Sequence, residues 1–292
     1  MLKKRYSGKI IAILMTAIFA FAMAVLVIIE SKMMFSRYIV TMIVLAVICI
    51  LTFIALSLTL WREVEIVNQP SDYPPQGINP SQAGCVIDAN VNRRDISAAF
   101  FYLAHKGYMH ITEYELKKFQ FEYKCWPEGE DHAMVKLFAA VFRDGKNTVP
   151  GTVVRLSDVS GRLAEVMPSV RKTIYKSISD RKNKEIADIT GKVTGFKDRL
   201  LENRGDRLAE LVRDNPDYLY EVFPYAYVFG ISSKLSRNFE PVSVSMPDWY
   251  SPYGVSENCT FDILIYNSML RNLPEQLNSE VYDNVRDDQL VE

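Results

Sequence analysis

Three histidines (His105, His110, His132) and four cysteines (Cys49, Cys85, Cys125, Cys259) are the side chains of this 292-residue chain best suited to metal binding or nucleophilic work. Their spacing favours neither. No two cysteines form a Cys-x-x-Cys pair and no His-Glu-x-x-His occurs, so the usual zinc spacings are missing. His110 falls in a strand-like run and His105 on a helix before Gly107, where packing explains both. Ser157-Asp158 sets a hydroxyl beside an acid, but no histidine in a recognisable context accompanies it, and helix capping accounts for the pair. No Gly-rich phosphate loop and no Gly-x-Ser-x-Gly elbow is present. The expectation is no catalytic residue, no metal, no cofactor and a chain that is not an enzyme.

Contact chemistry is better represented. Arg93 and Arg94 open a helix, and Lys117 and Lys118 sit in a hairpin turn, an arrangement that meets nucleic-acid phosphates when the two elements belong to a winged helix. Asp95, Glu113 and Glu115 lie in the same elements and oppose that reading. From Arg171 to Lys184 stand six bases (Arg171, Lys172, Lys176, Arg181, Lys182, Lys184) against Asp180, a solvated helix face or a contact for anionic headgroups. The run Tyr218, Tyr220, Phe223, Tyr225, Tyr227 and Phe229, with Trp249 and Tyr250 later, reads as core or as a partner groove.

The elements that position these residues begin with two uncharged runs, 10–29 and 38–61. At ~1.5 Å per residue, each is long enough as a helix to cross a ~30 Å hydrocarbon layer. The sequence therefore predicts a transmembrane hairpin over residues 1–61. Four Lys or Arg precede the first run and Arg62 follows the second, against Lys32 and Arg37 between them, which puts both termini on the cytoplasmic side of a multi-pass plasma-membrane protein with the lipid bilayer as a partner. Of 34 Lys and Arg and 35 Asp and Glu, residues 1–61 hold six and one, so the remainder is acidic and does not suit a general polyanion binder. Scattered cysteines in odd number beyond the hairpin suit a reducing compartment.

Residues 62–79 are rich in Pro and polar groups and read as a linker. Asn79 caps a short helix opened by Pro80; Asn92 caps a second, with Ile96, Ala99, Phe100 and Leu103 at helical spacing up to Gly107. The period then changes to two over Tyr108–Tyr114 and Phe119–Tyr123, a β-hairpin. Two helices and a two-stranded ribbon resemble the later half of a winged-helix module, placed at 80–182 in an α+β domain. Within it, Asp131–Arg143 is a helix, Thr152–Leu156 a strand, and Ser157 the cap of a helix bent or broken near Pro168. A mainly helical, aromatic-rich region follows at 183–250, and 251–292 is read as a partly disordered tail.

Several segments together resemble the C-terminal region of the domain of unknown function 2207 family, uncharacterised bacterial membrane proteins. They are Tyr73–Gly84 (YPPQGINPSQAG), Arg94–Tyr108 (RDISAAFFYLAHKGY), Leu156–Asp158, Gly195–Lys197, Asn215–Ala226 (NPDYLYEVFPYA) and Pro247–Tyr250 (PDWY). The resemblance rests on their order over residues 73–250. It implies a bacterial membrane protein without implying an activity. Members of that family usually carry an outer N-terminal domain and further spans between the winged-helix-like part and the Gly195–Lys197 helix; neither is read in this sequence, so the resemblance implies a short member or an excerpt.

The function expected is a non-enzymatic, membrane-tethered protein-interaction or scaffolding module with an unknown protein partner. Its candidate surface is Arg93, Arg94, Lys117, Lys118, Arg171, Lys172, Lys176, Tyr218, Tyr220, Tyr225, Tyr227, Trp249 and Tyr250. The alternatives are a membrane-anchored winged-helix DNA-binding regulator and an enzyme with a pocket in its C-terminal half.

Overall fold

The computed structural model describes residues 65–255 and 271–282, with Ala46, Val47, Cys49, Ile50, Leu51 and Phe53, which are helical. The chain divides into residues 1–65 and 66–292, and every element below belongs to the second unit. In chain order these are α1 (Pro80–Asp88), α2 (Arg93–His105), β1 (Met109–Glu115), β2 (Lys118–Tyr123), α3 (His132–Val141), β3 (Val153–Arg155), α4 (Leu156–Ser179), α5 (Asn183–Glu202), α6 (Asp206–Asp214), α7 (Tyr218–Val228), α8 (Ser232–Phe239) and β4 (Tyr250–Ser251). Residues 271–277 are helical and run into a π-helical turn, Asn278–Tyr282.

The fold-class expectation is corrected. The architecture is mostly helical around one small mixed sheet, ordered β3-β2-β1-β4. Among the described residues no helix is long and apolar enough to cross a membrane. The membrane hairpin, the plasma-membrane placement and the cytoplasmic termini are therefore not supported. The two runs that suggested them lie outside the described residues, apart from the six helical positions. The longest described helix, α4, has 24 residues but carries charges at Asp158, Arg162, Glu165, Arg171, Lys172 and Lys176, so only one stripe of it is apolar.

Local chemistry explains the first elements. Asn79 accepts from the Gln82 amide while Gln82 returns a bond to the Asn79 amide, and Pro80 supplies a fixed φ at the first helical position of α1. Gly107 takes φ +79° and ends the chain's path out of α2, which a Cβ would resist. In the hairpin, alternate residues Met109, Ile111, Phe119, Phe121 and Tyr123 are buried, and Glu113 is buried among them. The register pairs Ile111 with Phe121, and a bulge lies between Glu113 and Glu115. β3 adds antiparallel to β2, and β4 adds parallel to β1.

Two expected boundaries move. α4 begins at Leu156, one residue before the expected Ser157 cap, and continues through Pro168 unbroken. An interior proline costs ~3 kcal/mol. The buried stripe Leu163, Met167, Val170, Ile174 and Ile178 outweighs it, each apolar side chain contributing roughly 1.5–3 kcal/mol. The 183–250 region does not stand apart from the winged-helix-like module. α7 packs on α1 and α2, α5 packs on α1, and Phe196 of α5 meets Tyr225 of α7 edge to face at 5.6 Å. The stretch 271–282 also packs: Leu273, Leu277, Val281 and Tyr282 are buried, and the π-turn lies against α4.

Candidate functional site

α2 decides what the winged-helix-like arrangement can do. All residues from Asp95 to Leu103 except Tyr102 are buried, together with Ala104, so every face of the helix is covered beyond its first two residues. α1, α7 and the hairpin do the covering, with Phe101 against Tyr227 of α7 at 6.0 Å and Phe100 against Phe121 of β2 at 5.4 Å. A helix that reads a DNA groove must present a face along its length, and this one leaves only its first turn, Arg93 and Arg94, exposed.

Most of the basic residues expected on that face have partners within the fold; the exposed Arg94 has no ion pair or ring contact among the described residues. The Arg93 guanidinium lies over the Tyr282 ring at 5.0 Å, a cation–π contact. Lys117 pairs with Glu275 at 3.1 Å and Lys118 with Glu115 at 2.5 Å. Arg171 donates through Nε and Nη2 to the Val91 carbonyl at 3.1 and 2.7 Å, tying α4 to the turn between α1 and α2.

The aromatic candidates are mostly interior. Tyr218, Tyr220, Tyr225, Trp249 and Tyr250 are buried and Tyr227 is half-buried. Tyr218 donates to the Asp72 carbonyl at 2.8 Å and Tyr225 to the Ile78 carbonyl at 2.8 Å, so these phenols fasten the segment before α1 to α7. Tyr250 donates to Glu113 at 3.3 Å, and Asn272 and the Lys117 amide bond the same carboxylate, which holds the C-terminal stretch to the hairpin.

Of the thirteen expected surface residues, Arg94, Lys172 and Lys176 remain exposed without an ion pair or ring contact among the described residues, and the two lysines are one turn apart on α4. They continue into Lys182 and Lys184, also exposed and unpaired among the described residues, across the turn joining α4 to α5. Arg181 donates back to the Ser177 carbonyl at 2.8 Å, and Tyr175 is 37% exposed beside Lys176. Asp180 and Glu185 are the acids of this corner, which leaves it cationic.

Among the described residues no cluster of His, Cys, Asp or Glu has the composition of a metal site. Burial lowers the pKa of His105, and burial also lowers that of His110, whose ring nitrogens meet the Asp248 carbonyl and the Ser251 hydroxyl at 2.9 Å. Burial pushes the Cys85 thiol up to about 12, so it stays protonated and inert. The Ser157 hydroxyl donates to the neighbouring Asp158 at 3.3 Å in the exposed first turn of α4. Glu130 accepts from both Tyr102 and Tyr108 at 3.1–3.2 Å, which joins the loop before α3 to the end of α2.

Two features escaped the sequence. Asp95 is 1% exposed; its Oδ2 accepts from the Asn92 amide at 2.6 Å, while Oδ1 accepts nothing among the described residues and faces the Cα of Gly84. Burial raises this carboxyl to about 7. Asp72, in the expected linker, accepts from Arg199 at 3.2 Å, Asn203 at 2.9 Å and Arg207. Burial pushes Asp72 up, but the bonds from Arg207 and Asn203 and the charges of Arg199 and Arg207 outweigh it and bring its pKa below the usual value. Gly191 and Gly195, four residues apart on α5, were the one available signal for the second feature.

Comparison with protein families, with curated proteins and with solved structures gave no match. The segments behind the family resemblance have structural duties. Gly84 makes room for Asp95, Gly195 for the Gln69 carbonyl, Phe196 and Tyr225 pack together, and the Trp249 carbonyl accepts from Ile111. They describe a scaffold.

Proposed function

We propose that the chain is a non-enzymatic protein-interaction module whose docking face is the cationic corner of α4 and α5, and whose partner presents an acidic protein surface. The observation that carries this reading is the corner's lack of internal counter-ions: Lys172, Lys176, Lys182 and Lys184 are exposed and unpaired among the described residues and lie together, whereas of the other basic candidates Arg94 alone is left exposed without an ion pair or ring contact among the described residues. The burial of α2 favours a protein partner over a nucleic-acid groove. We place the chain beside the domain of unknown function 2207 family on the order of its segments, a placement that names no partner.

Affinity capture with the intact protein and with a Lys172→Glu, Lys176→Glu, Lys182→Glu, Lys184→Glu variant tests the reading. Acidic partners retained by the first, lost from the second and released by salt support it, since rim charges act mainly on association rate and salt dependence. Equal capture by both proteins overturns it. Salt-dependent binding of a random DNA duplex, lost in the same variant, would move the reading to nucleic acid.

A further inference from the structure

Residues 66–73 run along α5, and the helix is shaped to receive them. A Cβ on Gly191 would stand 2.0 Å from the Val67 carbonyl oxygen, and one on Gly195 would stand 2.1 Å from that of Gln69. Any other residue at either position would push the segment off. Each glycine costs the helix roughly 1 kcal/mol relative to alanine, so backbone access here is bought with helix stability.

The backbone contacts advance in parallel, Val67 at Gly191 and Gln69 at Gly195, while the Asn68 and Gln69 side chains reach in opposite directions along α5. Gln69 donates its amide to the Gly191 carbonyl at 3.1 Å and its side chain to Asp188 at 2.9 Å. Asn68 donates to Asp198 at 2.8 Å, and Asp72 receives Arg199, Asn203 and Arg207. From Gly191 to Asn203 the helix rises about 18 Å, a distance that Val67 to Asp72 covers only when nearly fully extended. The segment is held unevenly: Ile66 is 45% exposed, Val67 is 62% exposed and the Asn68 and Gln69 side-chain bonds lie at the surface, whereas the Asp72 side chain is 11% exposed, the Asp72 carbonyl accepts from Tyr218 at 2.8 Å and Tyr73 meets the Tyr218 ring edge to face at 5.5 Å.

We propose that this face of α5 is an exchangeable peptide site, in which residues 67–72 of a second copy of the chain can seat in place of the chain's own. The site selects by glycine access and by a pattern of polar partners, Asp188 for Gln69, Asp198 for Asn68, and Arg199, Arg207 and Asn203 for Asp72. The sequence that fits this pattern is on the page, and every copy carries it. Exchange preserves each contact and changes only which molecule supplies it, the low-cost route by which identical chains pair. The chain's own segment has the advantage of proximity, so exchange grows with protein concentration.

Full-length protein carrying Asn68→Cys and Asp198→Cys, with Cys125→Ser to remove an exposed native thiol, is made in isotopically light and heavy forms. The two are mixed and treated with a short bis-maleimide, and the bridged peptides are read by mass spectrometry. Bridges joining light to heavy are interchain. Their ratio to unmixed bridges is expected to rise about tenfold for tenfold more protein, by mass action. Adding Gly195→Ala is expected to remove both kinds. Unmixed bridges alone at every concentration overturn exchange, and absence of any 68–198 bridge in the glycine parent overturns the site itself.

Discussion

A buried carboxyl with one oxygen unbonded makes folding sensitive to protons. Asp95 is protonated more readily in the folded chain, at about 7, than at its ordinary 3.8, because burial disfavours its charge. Between those two values the folded state holds the extra proton, so stability is highest below pH 4 as far as this group is concerned and falls as pH rises through 7. Asp95→Asn keeps the shape and removes the charge. It is expected to raise stability at pH 8 by on the order of 1 to 4 kcal/mol and to flatten the slope between pH 4 and 7 in urea unfolding. Gly84→Ala acts on the same spot by volume: its Cβ would meet Asp95 Oδ1 at 2.0 Å, and the melting temperature is expected to fall clearly. Neither burial nor orphaning was legible. Asp95 reads as an ordinary first-turn acid on a helix, and only the arrival of α1 and α7 from other parts of the chain closes water out.

At the scale of elements, α5 and its bound segment show where local signals mislead. Proline, serine and asparagine between 68 and 80 suggest a free spacer because such residues make few contacts of their own. The contacts come from α5 instead, through glycines that read in isolation as weak points in a polar helix. The Asp72 pairs make the docking acid-sensitive: its pKa is lowered in the fold, so its contribution is present above the ordinary value of 3.8 and is lost as pH falls through the lower folded value. Asp72→Ala is expected to cost about 1–3 kcal/mol in denaturant unfolding, the range for a partly buried charge-assisted network. Hydrogen exchange at the Gln69 amide reads the docking directly. In Gly195→Ala it is expected to lose its protection while amides in α7 keep theirs. The hairpin was legible, since period-two alternation over seven and six residues has no helical counterpart. The fate of α4 at Pro168 was not, because the sequence shows the proline's cost without the packing that exceeds it.

For the molecule as a whole, the core decides the number of cooperative parts. A boundary near residue 182 follows from a polar, basic stretch in the sequence, yet Phe196, Tyr225, Phe101 and Tyr227 carry one apolar interior across it. Phe196→Ala is expected to cost about 3–5 kcal/mol and to shift one transition, with fluorescence and far-UV circular dichroism coincident. Separate transitions for the two halves would restore the boundary. The candidate surface was legible only in part for a related reason. Clusters of Arg, Lys and Tyr can be counted from sequence, but whether each is spent inward or left outward depends on which acids and rings the fold brings to it. Arg93 and Lys172 look alike in the sequence, and only one of them faces a ring.

The seat of residues 66–73 on α5 also fixes how tension would enter this unit. A pull on the chain at residue 65 reaches the Gln69–Gly191 bond and the Asp72 pairs before it reaches the capping box at Asn79. Because the segment runs alongside the helix, those contacts resist according to the angle of the pull: together in shear when it is drawn along α5, one after another when it is peeled away. The unit thus has a mechanical fuse, a stretch that can lengthen under force while α1 and the core behind it remain closed.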